Sequence, residues 1–153
     1  MPPLPDPLPQ SAATFAVDYR DGPLDALLAD PRLLAVFGFG DKAPPAHRDP
    51  RYLHVALPAL ADAPFECWRV DHPVRSGRTD GIAWSEDGQL QFGALEVPDA
   101  GGGDIEAAAT RAYAHLRDWL AASDYPHPLR LWNYLDAITA GDDDDERYRR
   151  FCV

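Results

Sequence analysis

Sixteen prolines spread over 153 residues cut this chain into short pieces, and that limits what it can fold into. Proline has no amide hydrogen and clashes with the preceding turn of a helix, so each one ends or interrupts regular structure. Residues 2–9 are rich in proline and read as an extended leader, assigned to residues 1–13. Pro44, Pro45 and Pro50 lie close together and make residues 41–50 a loop between two apolar runs. The pieces left over are mostly strand-sized.

Phe15, Val17 and Tyr19 alternate with small or polar residues, the pattern of a half-buried strand. Leu33 to Phe39 is a continuous apolar run, which suits a strand buried on both faces. Tyr52, Val55 and Leu57 mark a third strand, and Phe65 to Val70 a fourth. Gly81 to Ser85 and Gln89 to Val97 flank Glu86-Asp87-Gly88 and read as a hairpin, with Gly88 supplying a positive φ and Pro98 ending the second arm. A short helix is expected over Leu24 to Ala29, ahead of Pro31.

One long helix follows the three glycines at 101–103. Asp104 is placed to cap it and Glu106 to complement its dipole. Ile105, Ala108, Ala109, Ala112, Leu116, Trp119 and Leu120 share one face, with Arg111, Arg117 and Asp118 opposite, and Pro126 and Pro128 prevent continuation. Leu129-Arg130-Leu131-Trp132-Asn133-Tyr134-Leu135 is expected to be a strand with Arg130, Trp132 and Tyr134 on one face. This order predicts an α+β domain over residues 14–140, a mixed β-sheet with the long helix packed on a face.

Composition narrows the function. With 14 basic and 25 acidic side chains the net charge is −11, which opposes attraction to nucleic-acid phosphates. No apolar run approaches the roughly 18 residues of a membrane span, and the first residues lack the basic and apolar regions of a signal peptide. Two cysteines, Cys67 and Cys152, cannot build a disulfide framework and fit a cytoplasmic location. The five histidines are scattered, so no metal is expected, and the acidic run 142–145 lacks the spacing of a calcium loop. Gly38-Phe39-Gly40 is followed by Asp-Lys-Ala-Pro and not by a helix start, so a phosphate cradle is not expected. Cys67, inside a predicted strand, reads as an inert core thiol. No catalytic constellation stands out.

Residues 130–151 carry the strongest functional signal. Arginines in so acidic a chain suit carboxylate binding through paired hydrogen bonds, and equally a surface balanced by nearby aspartates. The acidic run and Glu146 open a helix that Arg147-Tyr148-Arg149-Arg150-Phe151-Cys152 continues, and the chain stops at Val153 with no cap. The expectation is that residues 141–153 begin a helix leading to an absent C-terminal catalytic domain.

Arg130-Leu131-Trp132-Asn133-Tyr134-Leu135, Ile138 and Glu146-Arg147-Tyr148-Arg149-Arg150-Phe151-Cys152 resemble the chorismatase family, as does the hairpin Gly81 to Gly93. The resemblance is nearest to xanthomonad enzymes labelled pteridine-dependent dioxygenase-like, which form 3- and 4-hydroxybenzoate. It implies a YjgF/RidA-like fold in each of two halves. It also implies cleavage of the enolpyruvyl ether of chorismate to pyruvate and a hydroxybenzoate or dihydroxycyclohexadiene carboxylate, without cofactors. The family motif normally continues with a glycine–arginine pair, and the principal acid, a glutamate, belongs to the other half. By this resemblance no catalytic residue lies in the chain. Arg147, Tyr148 and Arg149, braced by Arg130 and Asn133, bind substrate or join the partner domain. The alternatives are a stand-alone small-metabolite-binding module of the YjgF/RidA type and a structural interaction domain.

Overall fold

In the computed structural model, residues 15–59, 62–97, 104–135, 137, 139–141 and 146–152 are described. The proline-rich leader, the glycines 101–103, Pro98, Ile138 and the acidic run 142–145 lie outside the described residues.

The run of apolar residues from Leu33 onward becomes the central strand of the larger sheet. Four strands, β1 (Ala16–Arg20), β2 (Leu33–Phe39), β3 (Tyr52–Val55) and β4 (Phe65–Arg69), lie in the order β1-β4-β2-β3. The sheet is mixed: β2 and β3 run parallel, and β4 pairs antiparallel with both β1 and β2. A strand covered on both faces has no need of polar alternation, and six of the seven β2 residues are buried.

One face is covered by a short helix, α1 (Leu24–Leu28), whose Leu24 and Leu28 pack with Leu33, Val36, Tyr52, Phe65 and Cys67. Arg51 holds the end of α1. Its guanidinium donates to the carbonyls of Leu28 at 2.6 Å and Asp30 at 3.2 Å, and pairs with Asp49 at 2.7 Å. The Leu28 carbonyl is one that a helix C-terminus leaves without an intrahelical partner.

The second face of the sheet meets a separate three-stranded antiparallel sheet, formed by β5 (Arg75–Thr79), β6 (Ile82–Glu86) and β7 (Gln91–Ala94). Ala35, Phe37, Val55 and Trp68 pack there against Leu90 and Phe92. Ser85 is fully buried, and its hydroxyl donates to the Leu34 carbonyl across the seam. The expected hairpin is the β6–β7 turn: Gly88 has φ 90° and the Asp87 carboxylate accepts from the amides of Gln89 and Leu90. Its second arm is shorter than expected, since the ladder ends at Ala94.

The long helix, α2 (Ile105–Ala121), forms as expected, with the Asp104 side chain accepting from the Glu106 amide at 3.2 Å. Its predicted inner face is the less exposed one, yet among its described residues only Ile105 is buried. The helix therefore does not lie packed along the four-stranded sheet. Near its C-terminal end Trp119 rests on Gly93 of β7 so closely that an added Cβ would stand 2.6 Å from the ring.

The expected strand over 129–135 is corrected. Those residues are assigned to no strand and pair with no sheet. Its predicted faces nonetheless hold: Trp132 and Tyr134 turn toward the sheet aromatics and Asn133 turns toward α2. Alternation in sequence sets side-chain direction, while a strand also requires a neighbour to hydrogen-bond, and none stands beside it among the described residues. A last short helix, α3 (Arg147–Phe151), packs on α2.

Candidate functional site

The expected site residues fall on α3 and on the segment before it. Glu146 precedes α3 and pairs with the Arg149 guanidinium at 3.4 Å, one helical turn away. The Arg147 amide donates to the Ala140 carbonyl at 2.8 Å, which fixes where the helix starts. Arg150 reaches the Asp104 carboxylate at 2.9 Å, and the Phe151 ring lies 6.3 Å from that of Tyr113. Tyr148 is exposed, and its hydrogen bond with Cys152 raises its pKa.

Between α2 and α3 lies an open cleft of about 560 Å³, lined by Glu106, Thr110, Tyr113, Arg117 and Phe151. Arg147, Tyr148 and Arg149 are not part of its lining. Asn133 connects to it indirectly, accepting from the Tyr113 hydroxyl at 3.1 Å. Arg130 is stacked on the Trp132 ring with its guanidinium 4.9 Å from the centroid, a cation–π contact on the sheet side of the segment. The structure thus places Asn133 beside the α2–α3 cleft and Arg130 on the sheet aromatics.

A second cluster went unread in the sequence. Trp68 on β4 meets Phe15, Phe37, Phe92 and Trp132 at centroid distances of 4.8–5.7 Å. Its indole donates to the Glu66 carboxylate at 2.6 Å. Tyr19 also hydrogen-bonds Glu66, and that bond raises the Tyr19 pKa. Tyr134 is raised too, by burial and then by the Glu66 charge. The one signal available was the Glu-x-Trp spacing on β4, which puts both side chains on one face.

The ionisable groups inside the fold act as structural ties. Glu86 is buried and accepts from the Tyr125 hydroxyl at 2.6 Å, the Gly88 amide at 2.7 Å and Arg75 at 2.6 Å. The Tyr125 bond, with Arg75 and Gly88, outweighs burial and holds Glu86 below the usual carboxylate range. Such a group is ionised at neutral pH and is a poor proton donor. Burial pushes the Cys67 thiol up to about 11, which removes the thiolate a nucleophile requires. Among the described residues no three His, Cys, Asp or Glu side chains converge to hold a metal ion. No helix among them is long and apolar enough to cross a membrane.

Comparison with known proteins supplies what this geometry alone does not. The family model for the chorismatase FkbO/Hyg5-like N-terminal region matches residues 66–153. The chain is 37% identical over 89 residues to a chorismatase of Streptomyces rapamycinicus, covering 58% of this chain and 26% of that protein. It is 31% identical over 102 residues to a 3-hydroxybenzoate synthase of Streptomyces hygroscopicus, covering 65% of this chain and 29% of that one. A crystal structure of a chorismatase superposes with a TM-score of 0.66 at 26% identity, covering 92% of this chain and 43% of the other. The chain accordingly matches less than half the length of each of these proteins. With the family match running from β4 through both sequence motifs to the last residue, the chain belongs to the FkbO/Hyg5-like chorismatase N-terminal family.

Proposed function

We propose that this chain is the scaffold half of an enzyme that cleaves chorismate to pyruvate and a hydroxybenzoate or dihydroxycyclohexadiene carboxylate. The family match across residues 66–153, set beside the partial coverage of the longer relatives, is the observation that carries this reading. Chorismate is a dianion, so its site must offer two sets of cationic or amide donors away from bulk water. Ether cleavage also needs an acid whose proton is retained near neutral pH. Glu86, Asp49 and Asp18 are held below the ordinary carboxylate range and are ill suited to that role. In this reading the chain has no catalytic residue, no cofactor is required, and the fold is a YjgF/RidA-like α+β unit working in the cytoplasm. Arg147, Tyr148 and Arg149 join the chain to its partner domain or hold a substrate carboxylate, and Arg130 and Asn133 brace the segment before them.

A chimaera tests the proposal. Residues 66–153 replace the matched stretch of the Streptomyces rapamycinicus chorismatase, and pyruvate release from chorismate is followed. The expected result is turnover. A chimaera that folds and binds chorismate but releases no pyruvate would sink the reading. In an active chimaera, Arg147→Ala or Arg149→Ala lowering kcat/KM about 100-fold with an unchanged melting temperature would mark substrate contact. A joint fall of activity and melting temperature would mark the joining role.

A further inference from the structure

We infer that residues 129–135 are a β-strand without its ladder, and that the missing neighbour is a strand of the polypeptide by which the longer relatives exceed this chain. The inference rests on the reading of this chain as one part of a longer chorismatase-like protein. Three observations carry it.

The first is direction. Trp132 lies 4.9 Å from the Trp68 ring, and Tyr134 lies 6.3 and 6.4 Å from Phe37 and Phe39, while Asn133 between them meets Tyr113 on α2. Alternate side chains thus point to opposite sides, the period of a strand.

The second is hydrogen bonding. No backbone amide or carbonyl of residues 129–135 bonds to another described backbone group. Six of these seven residues are exposed, so water takes the place of partners here, and the row of amides and carbonyls is open to a neighbouring strand.

The third is apolar exposure. Leu129, Leu131, Trp132 and Tyr134 are 84%, 50%, 42% and 41% exposed. One such residue is ordinary, but four within six positions, Leu129 and Leu131 on one side and Trp132 and Tyr134 on the other, with exposed Phe15 meeting the same Trp68 ring as Trp132, mark an interaction site.

The occupant follows from charge and length. A second copy would bring together two chains of net charge −11, each with Glu66 at the centre of this aromatic face. The chorismatase crystal structure has 57% of its length outside the superposition, which takes in 92% of this chain and 43% of the other. A strand from that remainder, apolar where it passes Leu129 and Leu131, would complete the ladder within one polypeptide, at a lower entropic cost than association of separate molecules.

Amide hydrogen exchange tests the inference. In the 153-residue chain, residues 129–135 should exchange within about tenfold of an unstructured peptide. In the chimaera they should slow at least about 100-fold. As a second arm, an alternating Thr-Val strand is appended to Val153 through a Gly-Ser linker, with a proline-interrupted version as control. The uninterrupted strand should protect residues 129–135 and the control should not. The proposal is overturned if neither the chimaera nor the appended strand protects them. It is also overturned if the isolated chain protects them already. If sedimentation then shows a dimer, the occupant is a second copy; if it shows a monomer, the ladder partner lies within the chain. Failure of the proposed function is separable. A chimaera with protected residues 129–135 and no pyruvate release keeps the strand and loses the activity, while release with fast exchange does the reverse.

Discussion

Residues 24–92 and residues 105–152 come from one chain and are built to different degrees of completion. In the first region β2 is covered on both faces, α1 is held by Arg51, and Ser85 ties one sheet to the other. In the second, α2 has a single buried residue among those described, and the segment that follows it leaves leucine and tryptophan in water. Burial contributes about 25 cal/mol per Å² of apolar surface removed from water, so the first region supplies most of the folding energy and the second draws on it. The contrast teaches that apolar content does not measure self-sufficiency. What separates the regions is whether their apolar segments are covered by a neighbour among the described residues.

Substitutions that probe this difference rank by expected effect. Leu33→Ala should cost about 2–5 kcal/mol in urea unfolding, because Leu33 is fully buried and its removal leaves a cavity. A loss under about 1 kcal/mol would show that the first region is not the stable one. Ser85→Ala strands the Leu34 carbonyl inside the seam and should cost about 1–3 kcal/mol; wild-type stability there would mean the two sheets do not depend on that tie. Gly93→Ala pushes a methyl into Trp119 and should cost about 1–3 kcal/mol while altering tryptophan fluorescence. Unchanged fluorescence would mean that Trp119 does not rest on Gly93.

Acid should act through Glu86, which ties the first region to Tyr125 of the second, and through Asp49. Glu86 is held low by Tyr125, Arg75 and Gly88 against the opposing pull of burial. Asp49 is subject first to burial, which raises it, and the Arg51 bonds more than offset this. A carboxylate with a lowered folded pKa contributes stability that is present at neutral pH and is lost as pH falls through the folded value. Melting temperature should therefore hold above the ordinary carboxylate range and fall below it, and Glu86→Gln should flatten that fall. An identical acid limb in the variant would remove Glu86 from the account. Leu131→Ala, the smallest effect, should stay within about 0.5 kcal/mol, since half of that side chain is already in water. A loss near that of Leu33→Ala would erase the distinction between the regions.

Much of the first region was readable because its signals are local. The apolar run of β2 needs no partner to announce burial on both sides, and Asp87-Gly88 dictates its turn. Asp104 likewise declares the start of α2. What escaped depends on neighbours distant in sequence. β5 (Arg-Ser-Gly-Arg-Thr) has no apolar residue and exists because β6 offers it an edge. Arg51 gains its meaning only when α1 ends beside it. The split into two sheets could not be seen in a list of strands. At the candidate site, the faces of Trp132, Asn133 and Tyr134 were legible from alternation, while the absence of a ladder was not. Phe15, Val17 and Tyr19 teach the same lesson, since their alternation is real and their apolar face is nonetheless exposed.

The central proposal is that this chain scaffolds a chorismate-cleaving enzyme whose reacting groups lie in the rest of the longer protein. Pyruvate release from chorismate by the purified 153-residue chain, measured with coupled lactate dehydrogenase, tests it directly. The account predicts a rate indistinguishable from the uncatalysed background. Sustained release that scales with the concentration of the chain and disappears on substitution of one of its own residues would contradict it.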